Sequence, residues 1–312
     1  RQYIPIFGLH NPAVTEVAQL MAPRLLGVAA VQINFVVNAM IAASQSEGSL
    51  SAINVARMLM TMPLFVIAQA IATAALPTFS DQVARGETSE MRSSLAATLR
   101  GVILLSLPAT IGLILLREPI VAVLFQRGEF TELSTEMVSW ALLWYTAGLM
   151  GHSIVEILSR AFYALHDTKT PVIVGTIAMG LNVIFSFSFA SIFSQIGWMP
   201  HGGLALANSF ATALEAVTLF ILMGKRLIGI EGKSIADIAW RISLSALGMG
   251  LGLGLWIQLT GGLNRWLVAL GGVALGGVIY LLGVVILKVP EIRSLTAAMS
   301  RRLMKSVPPQ QR

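Results

Sequence analysis

Arg57 lies inside an apolar run. Residues 51–79, SAINVARMLMTMPLFVIAQAIATAALPTF, are long and apolar enough to cross a bilayer, which takes about 20 residues. A cationic side chain at a helix centre costs at least ~2.5–3.5 kcal/mol on insertion scales, so it needs an anion, a partner or water. Asn54 lies three residues before Arg57 and Thr61 four after, which sets all three on one helix face. One reading is a helix lining a polar cavity, with Arg57 facing a negatively charged cargo. The other is that Arg57, near one end of the span, snorkels to the headgroups. Pro63 removes a backbone hydrogen bond near mid-span and predicts a kink.

Other polar side chains recur inside apolar runs. Residues 23–44 carry Gln32, Asn34 and Asn38, the last two at i,i+4. Asn182 precedes Ser186 by four residues, and Asn208 precedes Thr212 by four. Buried amides in lipid commonly bond across helices, so interhelical glue is one reading; a lining for a polar cargo or a coupling cation is the other. Glu156 and Glu215 are the carboxylates within spans, each a proton or cation site or a partner for a nearby Lys or Arg.

Signs of catalysis are missing. His10, His152, His166 and His201 are scattered and form no metal-ligand pair; His152, within a span, reads as a hydrogen-bonded core residue. There is no cysteine, which excludes disulfides, thiolate metal sites and a cysteine nucleophile. No GxSxG, P-loop or other cofactor motif is present. Glu118, Glu129, Glu132 and Glu136 fall on a wet segment and read as solvating charges. The expectation is a protein that is not an enzyme, with no cofactor and no metal.

The elements that must position these residues follow from composition. The chain has 312 residues, of which 55% are hydrophobic and 12% charged, with mean hydropathy +0.77. A soluble domain carries about 25% charged residues, so this is an integral membrane protein. Apolar runs fall at about 23–44, 51–79, 95–116, 137–163, 171–196, 203–224, 238–259 and 266–287. The reading is an all-α polytopic membrane protein with eight transmembrane helices. Residues 117–136 read as a short interfacial segment, and Trp198 as an interface anchor.

Eight spans sort the basic residues. The side holding residue 1 receives 17 of the 21 Lys and Arg, the other side Arg117, Arg127 and Arg265, and Arg57 is the remaining one. The positive-inside rule makes the first side cytoplasmic, with both termini there. The net charge of +6 is therefore read as topology, not as a nucleic-acid surface. Four parts are expected: a cytoplasmic interfacial segment at 1–22, a six-helix lobe at 23–229, a helix pair at 230–289 and a basic cytoplasmic tail at 290–312. The last pair, with SALGMGLGLGLW and VALGGVALGGVIYLLGVV, has glycines at small-xxx-small spacing; it either packs tightly or borders a greasy groove.

LSRAFYALHDTKTPV (158–172), LFQRGEFT (124–131), MAPRLLGVAAVQIN (21–34) and AIATAALPTFS (70–80) together resemble the MurJ (MviN) family of lipid II flippases, in the multidrug/oligosaccharidyl-lipid/polysaccharide exporter superfamily. The resemblance covers essentially the whole chain but only the C-terminal part of a family member, helices seven to fourteen of fourteen. It implies a bacterial cytoplasmic-membrane protein that moves lipid II, a polyprenyl-pyrophosphate glycolipid, to the outer leaflet by alternating access. Its partners would be that lipid, the surrounding membrane lipids and the N-terminal lobe. Arg57, with Asn54 and Thr61, would face the pyrophosphate; the final pair would hold the polyprenyl tail. Asn34, Asn38, Asn182, Asn208 and Glu215 are candidate cavity or cation residues. The family motif sets its arginine five residues before the proline, where this chain has Met58; Arg57 is one residue earlier. Asn38 stands where many relatives carry aspartate. Rival readings are an exporter of another polyprenyl-linked oligosaccharide, a multidrug exporter, a membrane glycosyltransferase and a scaffold. A drug exporter would want more cavity acids, and a glycosyltransferase acidic or histidine clusters on loops.

Overall fold

In a bilayer an apolar chain can satisfy its backbone only within helices or a closed barrel, and long apolar runs interrupted by turn residues select helices. The computed structural model describes Ala29 and residues 31–291. The expected segment 1–22 and the tail beyond Glu291 lie outside the described residues. The helices are α1 (Val31–Ala43), α2 (Ser49–Pro63), α3 (Ala70–Ala84), α4 (Thr88–Phe125), α5 (Glu132–Ala147), α6 (Leu149–Ala164), α7 (Lys169–Gln195), α8 (His201–Arg226), α9 (Gly232–Thr260) and α10 (Arg265–Ile286). A π-helical segment, Leu64–Gln69, joins α2 to α3 directly after Pro63, so the irregularity that the proline predicts takes the form of a change in helix type.

Among the described residues six helices are long and apolar enough to cross a membrane: Ser49–Ala84 taken through the π-segment, α4, α7, α8, α9 and α10. A seventh span forms if α5 and α6, bent by 43°, are taken together. Of the first expected span only its later part is described, as α1, so the protein is all-helical and multi-pass while the count of eight is not reached within the described residues.

α4 departs from expectation. It runs unbroken for 38 residues, about 57 Å at 1.5 Å per residue, against a hydrocarbon core of about 30 Å. Residues 117–125, expected at the interface, continue the helix through Pro119 to Phe125, and Gly128 in the turn that follows takes a left-handed backbone (φ 59°). Pro108 within α4 leaves the Leu104 carbonyl without its N–H donor; the Tyr280 hydroxyl of α10 fills that role at 2.5 Å. A proline defect thus becomes the tie between α4 and the final pair.

The α5–α6 bend has a matching cause. At Gly148 the backbone N–H bonds the Tyr145 carbonyl, and the Ser209 hydroxyl of α8 donates to the Trp144 carbonyl at 2.6 Å. A Cβ on Gly148 would lie 2.4 Å from Ser209 Oγ, so this crossing needs glycine.

Three apolar clusters hold the bundle. One joins α2, α5 and the start of α8 around Ala56, Leu142 and Leu204. A second joins α3, the start of α4, α6 and the end of α8 around Phe79, Leu99 and Phe162. The third seats α9 and α10 on α4 through Leu116, Ile242, Leu253 and Val284. α4 contributes to all three. At one end, Arg100 of α4 pairs with Glu291 (2.5 Å) and bonds Ser234 (2.9 Å), while Ser93 donates to Glu231 (2.6 Å). The α6–α7 turn is closed by Asp167, whose carboxylate accepts the Thr170 N–H and hydroxyl; those bonds, the N–H first, hold its carboxyl below the usual range.

Candidate substrate-binding site

α1, α2, α5, α7 and α8 converge on a polar pocket of about 60 Å³ whose wall includes Asn34, Asn38, Asn54, Arg57, Asn182 and Asn208. The expected cavity amides, dispersed over some 170 residues of sequence (Asn34 to Asn208), thus meet beside the intramembrane arginine. Arg57 is half-buried. One of its N–H groups donates to Asn54 Oδ1 at 3.3 Å, and its Cζ lies 4.5 Å from the centroid of the Phe35 ring. It forms no ion pair among the described residues.

The amides form a clasp between α1 and α7. Asn34 Nδ2 donates to Asn182 Oδ1 (2.8 Å) and to the Met179 carbonyl (3.0 Å). Asn38 Nδ2 donates to Asn182 Oδ1 (2.9 Å) and the Asn34 carbonyl (2.9 Å), and the Ser186 hydroxyl donates to Asn38 Oδ1 (2.8 Å). Two donors converging on one atom fix that atom as the Asn182 oxygen, which leaves its Nδ2 buried without a partner among the described residues. On the neighbouring wall, Asn208 Oδ1 bonds His152 Nε2 at 3.0 Å, with Thr212 Oγ1 3.4 Å from the same nitrogen. His152 is the hydrogen-bonded residue its position predicts.

Two candidates lie elsewhere. The Thr61 hydroxyl donates to its own helix, at the Met58 carbonyl (2.8 Å), and is absent from the pocket wall. Glu215 is set against the α7 backbone, where a Cβ on Gly175 would be 3.1 Å from its Oε1. Glu156 pairs with Arg160 at 3.6 Å. Met58, the position where the family motif sets its arginine, is exposed and also absent from the wall, whereas Arg57 is part of it. The π-segment that follows Pro63 holds more residues per turn than an α-helix, so a one-residue displacement can be absorbed there before α3.

A second, apolar recess of about 530 Å³ lies behind α2. Leu59, Met62 and Pro63 form one side, α4 from Leu105 to Leu124 the floor, and Met249, Leu253, Gly272, Gly277 and Tyr280 the α9–α10 side. At 100° per residue, Leu59 and Met62 point about 160° and 140° away from Arg57. α2 therefore separates the pocket from the groove, one face to each. The glycines of the final pair serve both expected purposes: Gly276 packs on Leu253, and Gly277 opens onto the groove.

The sequence pattern of the lipid II flippase MurJ family matches residues 1–269. The chain belongs to that family. It is 34% identical over 216 residues to a probable lipid II flippase MurJ of Vibrio cholerae, covering 69% of this chain and 40% of the relative. With a probable lipid II flippase MurJ of Haemophilus influenzae it shares 30% identity over 297 residues, covering 90% and 57%. A solved lipid II flippase MurJ in an inward closed conformation superposes with TM-score 0.75 at 25% identity, over 91% of this chain and 56% of that one. The chain spans about half the length of the curated relatives it matches.

Two aromatic residues of the pocket wall are not among those that polarity singles out. Phe35 and Tyr145 both line the wall. Phe35 lies between Asn34 and Asn38 in sequence, but an apolar residue in an apolar run gives no reason to select it. Tyr145 belongs to the turn that ends at the Gly148 bend, which only the fold reveals.

Proposed function

We propose that this chain forms the C-terminal part of a lipid II flippase, which carries a polyprenyl-pyrophosphate-linked peptidoglycan precursor to the outer leaflet without making or breaking a bond. One observation carries the reading: α2 presents Asn54 and Arg57, an arginine with no ion pair among the described residues, to a polar pocket on one face, and walls an apolar groove on the other. A ligand that satisfies both is an amphiphile with a compact anionic head and a hydrocarbon chain. Arg57 would draw the pyrophosphate, for which a bidentate guanidinium contact is strong where water is scarce. The groove would hold part of the polyprenyl tail. A pocket of about 60 Å³ is too small for a disaccharide head group, so the head would be shared with a facing N-terminal lobe, and alternating access would move the two lobes about it.

The amide clasp serves in this reading as the joint between α1 and α7 and as the polar floor of the cavity. The oxygens of Asn38 and Asn182 already accept from neighbouring donors, which favours a cavity floor over a cation site. Orientation rests on the basic residues. Arg92, Arg100, Lys233 and Lys288 belong to segments that meet at one end of the bundle, whereas Arg265 bonds Gln126 at the other. That alternation supports a bacterial cytoplasmic membrane location with the basic end inside.

The test is depletion-rescue. A chimera carrying this chain in place of the matching segment of the Vibrio cholerae relative is expressed in a bacterium depleted of its own lipid II flippase. Growth with lipid II in the outer leaflet is the expected result. A chimera that reaches the membrane and exposes no lipid II would turn the reading toward another polyprenyl-linked glycan.

A further inference from the structure

Arg57 is the arginine of the pocket wall, and it has no carboxylate partner among the described residues. Arg85, Arg100, Arg117, Arg160 and Arg241 each pair with a carboxylate. Arg57 has instead the neutral Asn54 oxygen and the face of Phe35, which projects from α1 into the same pocket and is 42% exposed. A large aromatic side chain among amides, left open to the pocket rather than packed in a core, calls for an explanation.

Charge supplies one. A carboxylate in the place of Phe35 would neutralise the guanidinium, and an incoming anion would have to displace it. A ring face attracts the cation through its quadrupole and brings no net negative charge. It also contains no acceptor atom, so the in-plane N–H donors stay available for a bidentate phosphate contact. Asn54 fixes one nitrogen, Phe35 fixes the central carbon, and the cation keeps its full charge toward the pocket.

We infer that Phe35 is a positioning residue for Arg57, holding its guanidinium in the pocket for a pyrophosphate without cancelling its charge. This rests on the reading of the pocket as the head-group site. Phe35 itself makes no bond to the anion; it acts through Arg57. Because the two residues come from α1 and α2, the contact also ties the helix bearing the amide clasp to the helix bearing the charge.

The experiment measures binding by the whole chain in nanodiscs of zwitterionic lipid. Two probes are titrated calorimetrically, farnesyl pyrophosphate and farnesol, which share a tail and differ in the head. The wild type should bind the pyrophosphate more tightly. Phe35→Leu keeps the apolar volume and removes the ring. It should weaken farnesyl pyrophosphate about two- to fivefold, the size of an exposed cation–π contact, and leave farnesol unchanged. Phe35→Trp should restore wild-type affinity or better, and Phe35→Glu should erase the preference for the pyrophosphate. Equal pyrophosphate affinity in wild type and Phe35→Leu would overturn the positioning role while the head-group site stands. An equal loss for both probes would reduce Phe35 to packing and overturn it too. A wild type without any preference for the pyrophosphate would overturn the site itself, and this role with it.

Discussion

The pocket beside Arg57 holds about 60 Å³ and is walled by amides that bond to one another, whereas the groove behind the same helix holds about 530 Å³ and presents almost only carbon. The contrast follows from what a bilayer demands. A polar group at membrane depth must find a partner, so polar walls draw together until their donors and acceptors meet. Apolar walls owe nothing to one another in lipid, since hydrocarbon chains serve as well, and can stand apart. Size alone would therefore misidentify the chemistry of the molecule: the larger recess is the less specific one. In the smaller each polar group has a direction, which is what the proposed head-group recognition needs.

The sharpest way to break this contrast is to remove the charge. Arg57→Ala in the chimera should abolish rescue with the membrane level of the protein unchanged; surviving rescue would remove the anion from the pocket. Filling the groove comes next. Gly277 lines it, with nothing within 4 Å of a Cβ built there. Gly277→Phe should weaken a long polyprenyl pyrophosphate at least about tenfold and spare inorganic pyrophosphate, which uses the pocket alone; one phenyl ring excludes several methylenes worth about 0.8 kcal/mol each. Equal losses for both would merge the two sites into one.

Smaller effects test how each wall is held. Gly148→Ala forces a Cβ into Ser209 behind the pocket and should lower stability by about 1–3 kcal/mol, read as thermal unfolding in detergent. Tyr280→Phe strips the Leu104 carbonyl of its donor beside the groove and should cost about 1 kcal/mol. Asn38→Ala opens part of the clasp. It removes two bonds between α1 and α7; hydrogen bonds between membrane helices average about 0.6 kcal/mol each, so the loss should be about 1 kcal/mol, with the pocket widened more than the protein is weakened. A larger loss than that of Gly148→Ala would make the clasp, not the packing, the main support of the pocket.

Much of this architecture is visible in the chain as written, and the reasons differ by element. Apolar runs, glycine pairs and the alternation of basic residues mark the spans because membrane insertion reads the same features. Arg57, Asn34, Asn38, Asn182 and Asn208 could be selected because a polar atom in lipid always has to be accounted for. Their meeting in one pocket could not, since it depends on how α7 and α8 return to α1. The unbroken α4 is hidden in the sequence because Arg117 and Glu118 read as an interface, while the helix carries on past them and through Pro119 to Phe125. Thr61 fell away for a local reason: a helix threonine can satisfy itself on its own backbone, here at the Met58 carbonyl, and need face nothing. Phe35 shows the opposite limit, an apolar residue whose role comes from a cation on another helix.

The clasp also sets an order in time. Asn34 and the Asn182 that receives its hydrogen bond are 148 residues apart. At about 5–20 residues per second of synthesis, roughly 7–30 s separate the emergence of the two. Throughout that interval α1 carries amides that cannot yet reach α7, and they must borrow partners from water, lipid headgroups or the insertion machinery. α1 is therefore held provisionally by its surroundings and is captured only late, when α7 enters the bilayer. A ribosome that stalls before α7 would leave behind an α1 still exchanging those partners, and a quality-control protease could distinguish it from the finished bundle by that alone.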